Sequence, residues 1–166
     1  MSGPTEVVAP APPQECRVRA ASLADAPAAA AGVRALLVEL GGRAPAADVM
    51  EAVARELIED PDNGAVLVAE AGGVLVGVLA ASWPVAIHSA GRYGLIQDLW
   101  VDPAWRSRAI GRELLEAFFA LAIARGASRV EVGIPRDDFP RLEATRRFYL
   151  DNGFSSLGAR LRWLPR

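Results

Sequence analysis

The stretch Leu95-Ile96-Gln97-Asp98-Leu99-Trp100-Val101-Asp102-Pro103-Ala104-Trp105-Arg106-Ser107-Arg108-Ala109-Ile110-Gly111-Arg112 gathers the residue types that hold phosphate. An apolar, strand-like run breaks at Asp102-Pro103, a loop of arginines and small residues follows, and a helical pattern opens directly from it. The first N–H groups of a helix have no intrahelical acceptors, and the aligned peptide dipoles leave partial positive charge there. Ala109 and Gly111 are small enough to let an anion approach the backbone, while Arg106, Arg108 and Arg112 can add charge-assisted hydrogen bonds. Spacing alone leaves a second reading open, an ordinary solvated arginine-rich loop. His88, the only histidine, falls in a loop with no second ligand in view, and a surface role is expected for it. Cys16, the only cysteine, reads as a structural residue at the start of a strand, and neither an intramolecular disulfide nor a cysteine-rich metal site is available. Asp137 and Asp138 suit either a turn and helix-start device or half of an acidic pocket, and Trp83, Trp100 and Trp105 either line a ligand or fill the core.

The run Arg106-Ser107-Arg108-Ala109-Ile110-Gly111 resembles the acyl-CoA-binding motif of the GNAT N-acetyltransferase superfamily, Gln/Arg-x-x-Gly-x-Gly/Ala, with Ala109 at its first glycine. Leu99-Trp100-Val101-Asp102-Pro103 looks like the family's lead-in strand, and Phe148-Tyr149-Leu150-Asp151-Asn152-Gly153-Phe154 is similar to its second signature, a helix ending in aromatic-Tyr followed by Gly-Phe. Together these cover residues 93–157 in the family's order. The resemblance implies acetyl-CoA as co-substrate, no metal, and a sheet splayed between a strand at 93–101 and one at 129–134. In that split the pantetheine arm would meet backbone groups of Leu99, Trp100 and Val101. The pyrophosphate would sit on Arg106, Ser107, Arg108, Ala109, Ile110, Gly111 and Arg112, and Tyr149 would face the sulfur. Leu142 stands where the family often carries an asparagine for pantetheine.

A primary amine attacks a thioester only as the free base, so an ammonium of pKa about 10 must lose its proton at or before attack. Donors near the thioester oxygen stabilise the developing oxyanion, and a neighbouring acid protonates the departing thiolate. By residue type Tyr149 is a helix-end aromatic half buried in the core. The signature around it assigns it the acid's task. Many relatives resemble Glu-Asp-Leu-aromatic-Val where this chain has Gln97-Asp98-Leu99-Trp100-Val101, and Gln97 cannot accept a proton. An ordinary Asp98, with a pKa of about 4, would have to take the proton uphill by about 6 units, or roughly 8 kcal/mol. Asp98 is therefore expected to hold and orient a cationic acceptor while a water chain takes the proton, a structural hydrogen-bonding role being the alternative. The activity implied is acetylation of a primary amine on a small molecule or peptide. A second reading, an acyl-CoA-binding sensor or accessory module without turnover, draws on Gln97, Ala109 and Leu142. There is no GKS/T loop and no GxGxxG after a strand to support a nucleotide-binding domain of another kind.

The elements that must position these residues follow from periodicity. CRVRA alternates as a short strand; Ser22 or Asp25 can cap a helix to about Leu40, with Val33, Leu36, Leu37 and Leu40 on one face. A second helix follows Pro45 with Val49, Val53, Leu57 and Ile58 on its buried side, closed by Pro61-Asp62-Asn63-Gly64. AVLVAE and VLVGVLAASW read as adjacent antiparallel strands joined by AGG, and a loop from Pro84 to Arg92 leads into YGLIQDLWV. A helix from Ile110 to Arg125 ends at Gly126, RVEVGI is a strand, Pro140 to Asp151 a last helix, and Phe154 to Leu164 one or two closing strands. The fold class expected is α/β (α+β): one GNAT-like domain, a mixed, mostly antiparallel sheet of six to seven strands with about four helices on its faces. Residues 1–15, with four prolines, read as a disordered leader. Residues 16–166 read as the domain, with acceptor-side elements in 16–92 and the acyl-CoA-binding half in 93–166.

The 166 residues, 52% of them hydrophobic, suffice for one core. All 18 basic residues are arginine. Residues 1–90 carry a net −6 and residues 91–166 a net +4, so an anionic ligand is drawn to the second half and a cationic partner suits the first. The net charge of −2 argues against nucleic acid. No apolar run approaches a membrane span and the opening lacks a basic start, so the expected location is cytoplasmic. A homodimer is compatible with this composition.

Overall fold

The computed structural model describes residues 15–158. In chain order it holds β1 (Cys16–Ala20), α1 (Ala26–Glu39), α2 (Ala47–Glu59), β2 (Gly64–Ala71), β3 (Val74–Ser82), β4 (Val85–Ala86), β5 (Gly91–Arg92), β6 (Gly94–Val101), α3 (Ile110–Ala124), β7 (Val130–Val132) and α4 (Leu142–Asp151). Five strands form one sheet in the order β1-β2-β3-β6-β7, and β4 pairs with β5 as a separate ribbon. Within the main sheet only β6 and β7 are parallel. This is the expected fold class, a mixed, mostly antiparallel sheet with helices on its faces, and the described residues hold seven strands, five in the main sheet and two in the ribbon, with four helices.

Near-continuous Val, Leu and Ala in β2 and β3 fit strands covered on both faces. Gly72 and Gly73, at φ of 58° and 79°, make the two-residue turn between them, a geometry that favours glycine and matches the strands' twist. On one face α3 brings Ile110, Leu114, Leu115 and Phe118 onto Leu67, Leu79 and Ile96. On the other, α1 and α2 cover Val66, Val78 and Trp100. Gly32 lets α1 come this close, because a Cβ there would stand 2.9 Å from Trp100 Cε3.

Several expectations are corrected. The segment 84–92 is not plain loop but contains β4, β5 and a short helical turn. Residues 154–158 form no strand, and the rest of the expected closing strands, 159–164, lies outside the described residues, as do residues 1–14 of the expected leader. In α2, Val49 and Val53 are not buried but 54% and 51% exposed, because that side of the helix borders a cavity instead of the packed core. Among the described residues no helix is long and apolar enough to cross a membrane.

Candidate active site

The site begins with an irregularity in β6. Ala80 pairs with Asp98 and Ala81 with Ile96, so Gln97 is an extra residue, a β-bulge. A bulge reverses the alternation of faces beyond it. Ile96 and Leu99, three apart, consequently share the α3 face, while Asp98 and Trp100 turn to the α1/α2 face. Gln97 itself is exposed and donates through Nε2 to Ser82 Oγ at 3.1 Å. The parallel pairing of β6 with β7 stops at Ile96–Val132. From there the strands part. The Asp102 N–H bonds the Val76 carbonyl of β3, so by strand alternation Trp100 and Asp98 direct their backbone groups the same way, and Leu99 and Val101 direct theirs to the open edge. A main-chain edge free of its neighbour is suited to bonding an extended amide-bearing arm. The Leu99 and Val101 backbones face this edge, where Arg106 Nε already donates to the Val101 carbonyl, and the Trp100 side chain donates through Nε1 to Glu39.

Past Val101, the Asp102 carboxylate accepts from Ala104 N–H and fixes the proline turn. The loop then takes two unusual steps: Ser107 and Ala109 have φ of 62° and 63°, a left-handed conformation costly for residues with a Cβ. Ala109 is the N-cap of α3 and offers no side-chain cap, which leaves the first-turn N–H groups open to a ligand. Alternating loop conformations of this kind create concave sets of amides that bind anions. The donor set therefore fits a pyrophosphate. The arginines divide their roles. Arg106 is not free for phosphate: its Nη2 reaches Glu39 Oε1 and Oε2 at 2.6 and 2.8 Å, and its Nε donates to the Val101 carbonyl at 2.9 Å. Arg112 pairs with Glu116 one turn along α3. Arg108 lies exposed over the Trp105 ring at 4.9 Å and carries the loop's available charge. Gly111 also differs from expectation. Its missing Cβ would meet Phe148 Cζ at 3.2 Å, so its smallness serves the packing of α3 on α4 rather than anion approach.

Phe148 leads into Tyr149 on α4. The Tyr149 ring is held edge-on by Phe148 and Phe154, with centroids 5.2 and 5.3 Å away. Gly153 at φ 89° turns the chain so that Phe154 can do this, and Asn152 Nδ2 donates to the Phe148 carbonyl at 2.7 Å to close the helix. The signature thus builds a rigid aromatic seat. Burial, with a smaller contribution from the Asp98 carboxylate, drives the Tyr149 phenol well above its ordinary range. It stays a neutral donor at any physiological pH. Leu142 is buried at the start of α4.

Asp98 looks into a cavity of about 290 Å³ between α1, α2 and the sheet, and it is the only polar side chain among the residues lining it. Burial raises its pKa. Among the described residues no ion pair or side-chain hydrogen bond engages it. This cavity is what the periodicity of α2 could not reveal. The remaining candidates fall away from it. Trp83 is core, stacked on Phe118 at 5.1 Å; His88 is exposed near Tyr93; Asp137 and Asp138 are on a solvated turn; and burial raises the pKa of Cys16, which argues against a reactive thiolate. No group of metal-ligating side chains occurs among the described residues.

The architecture and the family agree. Residues 34–154 match the Acetyltransferase (GNAT) family, and the chain belongs to it. Its fold is similar to that of an aminoglycoside N-acetyltransferase in complex with CoA, at a TM-score of 0.78 and 17% identity over 96% of this chain and 99% of that one. It is also similar to a ribosomal-protein-alanine N-acetyltransferase from Brucella melitensis biovar Abortus 2308, at 0.68 and 19% over 92% and 99%. A third likeness is to an aminoglycoside acetyltransferase from an uncultured soil metagenomic sample, at 0.73 and 24% over 92% and 99%. No curated protein sequence matches the chain. The protein is an enzyme of the acetyltransferase class.

Proposed function

We propose that the enzyme acetylates a primary amine with acetyl-CoA, Asp98 receiving the acceptor and Tyr149 supplying the proton that the thiolate needs. The observation that carries this reading is the unpaired Asp98 carboxylate beside the part of β6, at Leu99 and Val101, that β7 does not pair, with the neutral Tyr149 phenol in electrostatic reach of it. Acetyl-CoA, when bound, supplies the acetyl group as a thioester. The 106–112 loop would hold its pyrophosphate through Ser107, Arg108, Ala109 and the opening N–H groups of Ile110, Gly111 and Arg112, with Arg106 keeping the loop in place. The Leu99 and Val101 edge would orient the arm.

Asp98 binds the ammonium and takes one of its protons. Burial supports this role, because low polarity raises a carboxylate pKa and lowers that of an ammonium, which narrows the uphill gap of about 6 units between free groups. No other polar side chain lines the cavity to support the expected water chain, so the base is assigned to Asp98 itself. The amine nitrogen bonds the thioester carbon, Tyr149 Oη–H protonates the sulfur as the C–S bond breaks, the proton still in excess on the new amide nitrogen passes to the Tyr149 phenolate, and Asp98 returns its proton to solvent with product release.

Calorimetry with CoA tests the cofactor half. Binding is expected, and Ser107→Asp should abolish it without unfolding, since aspartate tolerates a left-handed φ while adding a negative charge to the loop. No binding of CoA to folded protein at millimolar ligand would end the proposal. Tyr149→Phe should lower turnover, read as free thiol, by ~10²-fold with little change in CoA affinity.

A further inference from the structure

The cavity before Asp98 is asymmetric in chemistry. Ala29, Val33, Leu37, Met50, Val53 and Leu57 are among its walls, and every lining residue except Asp98 is apolar. A polyamine or aminoglycoside entering it would desolvate several ammonium groups and find a partner for one. Each unpaired charge is expensive in such surroundings. A peptide would leave its amides without hydrogen-bond partners there, for the same reason. An apolar body carrying one ammonium meets both features of the site: its charge pairs with Asp98 and its carbon surface displaces water from the walls. The half-exposed Val49 and Val53 on α2 then have a purpose, as one wall of a binding chamber. A volume of about 290 Å³ lies at the small end of ligand pockets and suits a small amine.

We infer that the acceptor is a small amphipathic monoamine, one primary ammonium on a compact alkyl or aryl body. This names the substrate class of the site proposed above and rests on that reading. It sets the enzyme apart from the aminoglycoside acetyltransferases that share its fold.

The test is calorimetry on the full chain without CoA, using n-alkylamines from butylamine to dodecylamine, phenethylamine, spermidine and kanamycin. Affinity should rise about threefold to fourfold per methylene and level off once the chain outgrows the cavity. Octylamine should bind at least tenfold tighter than spermidine or kanamycin. Asp98→Asn should weaken octylamine at least tenfold, while Val53→Asp, at a half-exposed wall position the fold can tolerate, should raise spermidine affinity and lower that of octylamine. Tighter binding of spermidine or kanamycin than of octylamine would overturn the inference, as would affinity independent of chain length or of Asp98. A parallel CoA titration separates the two questions: failure to bind CoA would remove the transferase reading, whereas the amine series alone decides the preference for a monoamine.

Discussion

Ser107 and Ala109 hold left-handed backbones that a residue with a Cβ adopts at a cost of about 1–2 kcal/mol. The family's motif places glycine where Ala109 stands, and the structure gives the reason: φ is 63° at the residue that caps α3. Strain at a ligand-binding loop persists only because its surroundings hold it there. Ala109→Gly should relieve that strain, less the roughly 0.4–1 kcal/mol that glycine returns through a freer unfolded chain. The net expectation is a gain of about 0.5–1 kcal/mol and a melting temperature about 2 °C higher, read by calorimetry, with CoA affinity retained. A lower melting temperature would mean that the loop is not strained at this residue. Ala109→Val is expected to move the other way, since a β-branched side chain fits a positive φ worse than alanine does.

The elements themselves were largely legible. Continuous apolar runs gave β2 and β3, the i, i+3, i+4 pattern gave α3, and Phe148 to Phe154 marked the end of α4, because these follow from local period and turn chemistry. What escaped the sequence depends on distant partners. The bulge at Gln97, which sends Asp98 to the α1/α2 face, is set by register with β3. Arg106 read as a phosphate ligand, yet it is held by Glu39, 67 residues away at the end of α1. The packing of Gly111 on Phe148 likewise joins two helices. The Arg106–Glu39 pair is bidentate and about a quarter to a third exposed, and Glu39 also accepts from Trp100 Nε1 at 3.2 Å. After allowance for solvent screening, a double-mutant cycle of Arg106→Gln and Glu39→Gln in thermal unfolding should give a coupling of about 1 kcal/mol. The two single variants should weaken CoA by a similar small factor, about twofold to threefold, because both act only by loosening the loop. A loss above tenfold in Arg106→Gln alone would return Arg106 to the phosphate itself.

Across the whole molecule the buried ionisable groups set how stability varies with pH. Asp25 bonds Arg19, which also reaches Glu70, and that ion pair holds the Asp25 pKa well below its ordinary range. Its contribution is complete above the unfolded pKa of about 4 and is lost as the pH falls below it. Asp98 and Tyr149 are shifted the opposite way, upward by burial. A raised pKa gives a contribution present below the unfolded value and lost as the pH rises above it, so ionising Asp98 weakens the fold above about pH 4, and Tyr149 does so above about pH 10, where the unfolded chain's tyrosine ionises. Wild-type protein should therefore gain melting temperature relative to Asp98→Asn on going from pH 7 toward pH 4, and Asp98→Asn should be the more stable of the two at pH 7. Above pH 10 the wild type should lose stability faster than Tyr149→Phe, and below pH 4 faster than Asp25→Asn. Function follows the same sign at Asp98. A base of raised pKa gives a rate inflection that stays fixed when the amine is exchanged for one of different pKa and disappears in Asp98→Asn; an inflection that tracks the amine would reduce Asp98 to an anchor and return the proton to water.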